Sequence, residues 1–199
     1  MKYFTSDTHF FHENIIKFCN RPFDNIKDMG QVLINNWNDI VGKDDEVYHL
    51  GDFAFTGNIK AIKTLKESLN GKIHLILGNH DYQNKLNRPI FKEIFDSVQD
   101  YLYIQIDDDE MEGGWQGIVL SHYPMLTWHQ ALRGSWQLFG HIHLGPYAIG
   151  QDKNLPLKPN QYDVGVDNNN YFPVSYDEVK IIITKQYLGH NDMKQFANN

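Results

Sequence analysis

The sequence predicts an α/β fold with an early set of parallel strands, and three observations carry that prediction. Short β-type runs at residues 2–6, 47–50 and 73–77 alternate with amphipathic helical patterns, giving two successive strand–helix–strand units over residues 2 to 77. Units of this kind lay their strands parallel through right-handed crossovers. Each run ends in polar residues at what becomes the carboxyl edge of the sheet, where ligands of α/β folds collect. After residue 97 the pattern changes to that of a hairpin.

Tyr3, Phe4 and Thr5 favour a strand, and Asp7-Thr8-His9 follows it. In extended chain, positions i and i+2 share a face, so Asp7 and His9 converge while Thr8 turns away. Glu13 to Phe18 reads as a short helix that buries Ile15, Ile16 and Phe18 and ends at Arg21-Pro22-Phe23. From Ile26 to Val41 a scaffold helix packs Met29, Val32, Leu33, Trp37 and Ile40, with Trp37 as a core residue. Val47 to Leu50 is the second strand, and it delivers Gly51-Asp52; His49, inside the strand, reads as a buried, hydrogen-bonded histidine. Ile59 to Leu69 is a crossover helix stopped by Asn70-Gly71. Ile73 to Leu77, bounded by Gly71 and Gly78, is a strand covered on both faces, after which Gly78 turns the chain into Asn79-His80-Asp81.

Arg88-Pro89 interrupts any helix there, leaving a short one over Ile90 to Phe95. Val98 to Ile106 alternates as one strand and pairs, through a turn at Asp107-Asp108-Asp109-Glu110 and Gly113-Gly114, with Gly117 to Leu120. The acid run reads as a solvated turn, because it lacks the glycine and distal glutamate of a calcium loop. That hairpin ends in Ser121-His122-Tyr123-Pro124. Ser135 to Phe139 is a further strand, ending in Gly140-His141-Ile142-His143, where i, i+2 spacing turns His141 and His143 to one side. Leu144 to Gln161 is an irregular loop, and Tyr162 to Asp167 the last strand. Ser175-Tyr176-Asp177-Glu178 is a capping box that opens a helix from Tyr176 to about Leu188, with residues 190–199 as a frayed tail. One domain over residues 1–199 is expected.

Composition narrows the chemistry. With 41% hydrophobic and 22% charged residues the chain is ordinary globular material, and no tract is long and apolar enough to span a membrane. Its opening meets Asp7 too early for a signal peptide, so a cytoplasmic location is expected. The formal charge of −7 opposes a broad grip on nucleic acid. The lone Cys19 excludes an intrachain disulfide and a thiolate zinc site, so a metal must be held by nitrogen and oxygen. Ten histidines stand out against Arg21, Arg88 and Arg133 as the only arginines, which leaves metal ions to supply positive charge for a phosphate.

The strand ends together present Asp7-x-His9, Gly51-Asp52, Gly78-Asn79-His80-Asp81, Ser121-His122 and Gly140-His141-x-His143. This ordered set resembles the calcineurin-like metallophosphoesterase family, and the opening Tyr3 to Ile16 resembles its small bacterial and phage subgroup. The resemblance implies a four-layer αββα sandwich of two mixed sheets flanked by helices. It implies that Asp7, His9, Asp52 and His143 hold one divalent ion and that Asp52, Asn79, His122 and His141 hold the other, with Asp52 bridging. Mn, Fe, Zn, Co and Ni all suit such ligands, with Mn favoured. The expected activity is hydrolysis of a phosphate ester by metal-activated hydroxide, on a phosphodiester or cyclic phosphate of a small or nucleotide-like molecule. His80 is the candidate proton donor to the leaving group, and Asp81 either orients its ring or caps a turn. His12, Arg21, Tyr123, Trp128, His129 and Arg133 are candidates for the substrate cleft. Trp128 offers a stacking face, and His129 and Arg133 rank first because they lie between two motifs. The alternatives are a nuclease and a non-catalytic scaffold.

Overall fold

The computed structural model describes residues 1–81, 87–144 and 155–197, and in it two sheets pack face to face. In the first, β1 (Lys2–Thr5), β2 (Glu46–His49), β3 (Lys72–Ile76) and β4 (Ser97–Gln99) run parallel, and β9 (Val174–Ser175) pairs antiparallel with β1, in the order β4-β3-β2-β1-β9. Between these strands run α1 (Glu13–Phe18), α2 (Ile26–Ile40), α3 (Ile59–Ser68) and α4 (Asn87–Ile94). Asn25 caps α2 by accepting the N–H groups of Lys27 and Asp28, and Asn58 caps α3 by accepting that of Ala61. Alternation along the strands divides the core. Tyr3, Val47, Ile73 and Leu75 face the helices, where Met29, Leu33, Trp37, Ile62 and Leu65 meet them.

Phe4, Tyr48 and Ile76 point to the other face, into a second core shared with Ile118, Leu120, Trp136 and Leu138. Those residues belong to the second sheet, formed by β5 (Tyr101–Asp107), β6 (Trp115–Ser121), β7 (Trp136–Phe139) and β8 (Gln161–Asp163) in that order. β5 and β6 are antiparallel, while β6, β7 and β8 are parallel, so both sheets are mixed. α5 (Tyr176–Ala197) adds Tyr176, Val179 and Ile183 to this core. The two-sheet sandwich with flanking helices is the α/β architecture the motifs imply. No described helix is long and apolar enough to cross a membrane.

Several elements differ from expectation for identifiable reasons. The alternating run from Val98 is two strands: β4 completes the first sheet beside β3, and β5 opens the second. Period 2 continues across Asp100 because each piece has its own buried face, so the change of sheet leaves no mark in the pattern. Pro89 lies in the first turn of α4, where a missing N–H costs nothing. Phe18 and Val32 are exposed, because Ile15 alone is buried from α1 and Met29, Leu33 and Trp37 suffice for α2. The last strand stops at Asp163, and Val166–Asn168 forms a 3-10 turn. The acid run is not simply solvated: Asp108 accepts from Lys180 Nζ and Tyr176 Oη, which ties the hairpin turn to α5. α5 continues past Gly189, since an exposed helical glycine costs only about 1 kcal/mol and no proline follows. Its capping box forms as expected, with Glu178 Oε2 accepting the Ser175 N–H at 2.8 Å. Residues 145–154 of the irregular loop and 198–199 of the tail lie outside the described residues.

His49 is fully buried. Thr8 Oγ1 donates to the Phe53 carbonyl, so His49 Nε2–H donates to Thr8 Oγ1 at 2.9 Å, and its Nδ1 has no hydrogen-bond partner among the described residues. Burial pushes its pKa down to about 3. An unfolded histidine titrates near 6.5, so between these values the unfolded chain binds the extra proton. The His49 contribution is therefore complete above about pH 6.5 and is lost as pH falls toward 3. In urea unfolding at a series of pH values, His49→Gln is expected to flatten the acid side of the stability profile; an unchanged slope would contradict this account.

Candidate metal centre

The carboxyl ends of β1, β2, β3, β6 and β7 meet at one rim and bring their motifs together. Asp7 and His9 follow β1, Asp52 follows β2, and Asn79, His80 and Asp81 follow β3; His122 follows β6, and His141 and His143 follow β7. The backbone there is not extended. Asp7, His9, Asp52, His141 and His143 have φ of 57°, 49°, 56°, 73° and 47°, in the left-handed region that costs side-chain-bearing residues about 1–3 kcal/mol each. Backbone bonds from Asp7 N–H to Gly51 O and from His9 N–H to Asp52 O, both 3.0 Å, hold the first two turns side by side. Asp7 and His9 thus converge through kinks, not through the pleat of a strand. His141 and His143 do not share a side. The His143 ring lies 5.3 Å from that of His9, whereas His141 packs edge-on against His122 at 5.1 Å.

Asp52 stands at the middle. Its Oδ2 is 3.5 Å from His9 Nε2, 3.6 Å from His122 Nε2 and 3.8 Å from His80 Nε2, and its Oδ1 accepts the His80 backbone N–H at 2.9 Å. On one side Asp7 Oδ1 lies 3.9 Å from His9 Nε2 and 3.8 Å from His143 Nε2. On the other, Asn79 Oδ1 is 2.9 Å from His122 Nε2. Asp7, His9 and His143 each offer a ligand atom within 4.8 Å of the others, as do Asp7, Asp52 and His122.

These residues fit divalent ions. Asp7 Oδ1 and His9 Nε2 are buried with no hydrogen-bond partner among the described residues. His122 Nδ1–H donates to the Leu50 carbonyl at 2.7 Å, so the Nε2 lone pair faces Asn79 Oδ1 and Asp52 Oδ2. Lone pairs converging in a buried site call for a cation, and a set of imidazole, carboxylate and amide donors suits a divalent metal. Electrostatics agree. Burial, with the carboxylates of Asp7 and Asp81 adding to it, pushes Asp52 up to about 8. His143 is held up to about 11 against its own burial by Asp7 and Asp167. The centre retains protons where cationic charge is wanted.

The model of the family described as calcineurin-like phosphoesterase matches residues 3–145, which include every candidate ligand above. The chain belongs to that family. An uncharacterised protein of Methanocaldococcus jannaschii is 36% identical over 184 residues, covering 92% of this chain and 91% of the relative. The gene 66 protein of Mycobacterium phage L5 is 28% identical, covering 83% and 86%. Among solved structures, a protein of unknown function from Aquifex aeolicus superposes with a TM-score of 0.66 at 29% identity, covering 92% and 98%.

In this calcineurin-like phosphoesterase a further carboxylate stands behind the candidate ligands. Asp167 Oδ2 lies 2.7 Å from His143 Nδ1, and the Arg21 guanidinium grips both Asp167 oxygens at 2.8 Å. Arg21 also donates from Nη2 to the Asp7 carbonyl at 2.7 Å and from Nη1 to that of Thr8 at 3.2 Å. Expected to line the cleft, Arg21 is instead buried and spent on these partners, so it positions the turn that carries Asp7. Asp167 is absent from the sequence motifs; its only signal is an acid at the end of an apolar run. Replacing it with asparagine removes the charge that fixes His143, and Asp167→Asn is expected to weaken divalent-ion affinity about 10–100-fold in calorimetric titration.

Asp81 takes the turn-capping role. Its carboxylate accepts the N–H groups of Asp52 (2.7 Å), Gly78 (2.9 Å) and Phe53 (3.2 Å), so it clamps two strand-end turns. Burial pushes its pKa up to about 6.

Among the cleft candidates, His12 and Tyr123 reach the site. His12 Nδ1 is 3.3 Å from His9 Nδ1, and burial, followed by His80 and Arg21, lowers its pKa to about 4. Tyr123 is exposed and packs edge-on against His122 at 4.9 Å and His141 at 4.6 Å. Trp128 is buried with its Nε1–H donating to Ser135 O at 3.1 Å, so it offers no stacking face to a substrate. His129, packed on Tyr103 at 4.7 Å, and Arg133 sit at the amino end of β7, opposite the histidines that follow Phe139. Lying between two motifs in sequence did not bring them to the centre, because the segment runs back to the start of β7.

Proposed function

We propose that the chain is a dinuclear-metal phosphoesterase acting on a phosphodiester or cyclic phosphate of a small or nucleotide-like molecule. The observation that supports it best is Asp52 Oδ2, placed between His9 Nε2 and His122 Nε2, as a carboxylate shared by two ion sites must be. Asp7, His9, Asp52 and His143 would hold one ion, and Asp52, Asn79, His122 and His141 the other, with Mn favoured. Divalent ions in these places would supply positive charge for the phosphoryl oxygens and acidify water near neutral pH. His80, with its Nε2 3.8 Å from Asp52 Oδ2, stands beside both sites and donates a proton to the departing oxygen. Asp81 and Arg21 keep the turns that carry Asp52 and Asp7 in place. The net charge of −7 favours a small ester over extended nucleic acid.

Protein of verified Mn content, offered aryl monoesters, linear aryl diesters, cyclic nucleotides and an oligonucleotide, is expected to turn over a diester or cyclic ester and to stop on chelation. Cleavage of the oligonucleotide alone would favour a nuclease, and inertness of the metallated protein toward every ester would favour a scaffold.

A further inference from the structure

Two phenylalanines beside the candidate metal centre are exposed where core packing would hide them: Phe18 by 63% and Phe55 by 37%. Both are organised by one histidine. The Phe55 ring stacks on His12 with centroids 4.3 Å apart and planes at 21°, and Phe18 meets His12 edge-on at 6.1 Å. The Phe55 backbone is fixed by its N–H to Phe10 O at 2.8 Å, next to the bridge between Phe10 and Ala54, so the ring is held before any ligand arrives. Phe55 also lies 5.3 Å from the His80 ring, and His12 5.7 Å from it. The aromatic surface therefore begins one ring away from His80, the residue proposed above as the proton donor.

We propose that Phe55, backed by His12 and flanked by Phe18, is a shelf for a flat ring in the leaving group of the ester. The substrate class is then a small phosphoester whose leaving group carries a nucleobase or a comparable aromatic ring. This rests on the phosphoesterase reading above. Packing of such a ring on a held aromatic face is worth about 1–3 kcal/mol, that is, about 5- to 150-fold in affinity. An aliphatic chain would gain from the buried area but not from the orientation of the Phe55 plane.

The test is direct binding, measured by calorimetry on the metal-loaded protein, of adenosine 5′-monophosphate and of ribose 5-phosphate, which differ by the base. The nucleotide is expected to bind at least about 5-fold more tightly. The preference should fall toward unity in Phe55→Leu, persist in Phe55→Tyr, and drop partly in Phe18→Ala, an exposed position whose change the fold tolerates. Equal affinities in the native protein, no binding of either ligand, or a preference unchanged in Phe55→Leu would overturn the shelf. Hydrolysis of an aryl phosphodiester is followed separately. Turnover without a base preference removes the shelf and leaves the phosphoesterase reading, whereas a base preference without turnover of any ester overturns the phosphoesterase reading and leaves Phe55 as a base-binding face with no leaving group to hold.

Discussion

Asp52→Asn is expected to lower turnover of a phosphodiester by at least about a thousandfold while leaving the fold intact. The amide keeps the size of the side chain, so Oδ1 can still accept the His80 N–H, which it takes at 2.9 Å. It removes the negative charge from the point reached by His9, His122 and His80 within 3.8 Å, and on the dinuclear reading a neutral group would not hold two cations as a carboxylate would. The metal-free protein should respond in the opposite direction. The native pKa of Asp52 is raised to about 8 by burial, then by Asp7 and Asp81, whereas the unfolded value lies near 3.9. Between those values folding takes up a proton, so this carboxyl lowers stability progressively as pH rises from 4 to 8, and a neutral amide avoids that loss. Thermal melting at pH 7 is expected to show the chelated variant at least as stable as the chelated native protein, with the Mn-induced rise in Tm largely abolished. A variant that keeps full turnover would remove Asp52 from the bridging role.

Gly140→Ala should produce the second large effect, through contact alone. A Cβ built on Gly140 overlaps Ser6 Oγ and Asp7 Oδ2. Those atoms are already committed: Ser6 Oγ donates to Asp7 Oδ2 at 2.6 Å, and the same oxygen accepts the His141 N–H at 2.9 Å. One methyl group therefore pushes the second sheet's ligand loop away from the first sheet's carboxylate. Overpacking of this kind costs about 1–3 kcal/mol, and moving Asp7 should weaken Mn binding at least about tenfold. Urea unfolding and calorimetric titration report the two effects. Gly57→Ala, where an added Cβ meets nothing within 4 Å, is the matched control and should change neither.

Much of the candidate centre is legible in the sequence because every candidate ligand lies within four residues of a strand's end. Strand runs are the strongest pattern in the chain, and the polar residues after them stand out against apolar neighbours. The parallel part of the first sheet is legible for the same reason, since β1, β2 and β3 alternate with helices of clear period. The passage between sheets at Asp100 is not, because period 2 records a buried face without saying which sheet supplies it. β9 has two residues, too few for any period. Arg21 and Asp167 are 146 positions apart and meet only after both sheets have formed, so neither carries a local signal of the pair. The left-handed candidate ligands escape notice because aspartate and histidine, though enriched at positive φ, adopt it in only a minority of positions. The misplacement of His129 and Arg133 comes from taking nearness in sequence for nearness in space across a segment that turns back.

Left-handed backbone at Asp7, His9, Asp52, His141 and His143 sets ion binding against evolutionary permanence. Glycine adopts such φ values readily, so replacing any of these candidate ligands by glycine relieves local strain. On the proposed reading, a descendant released from holding ions would drift first at these five turns, acquiring glycine there.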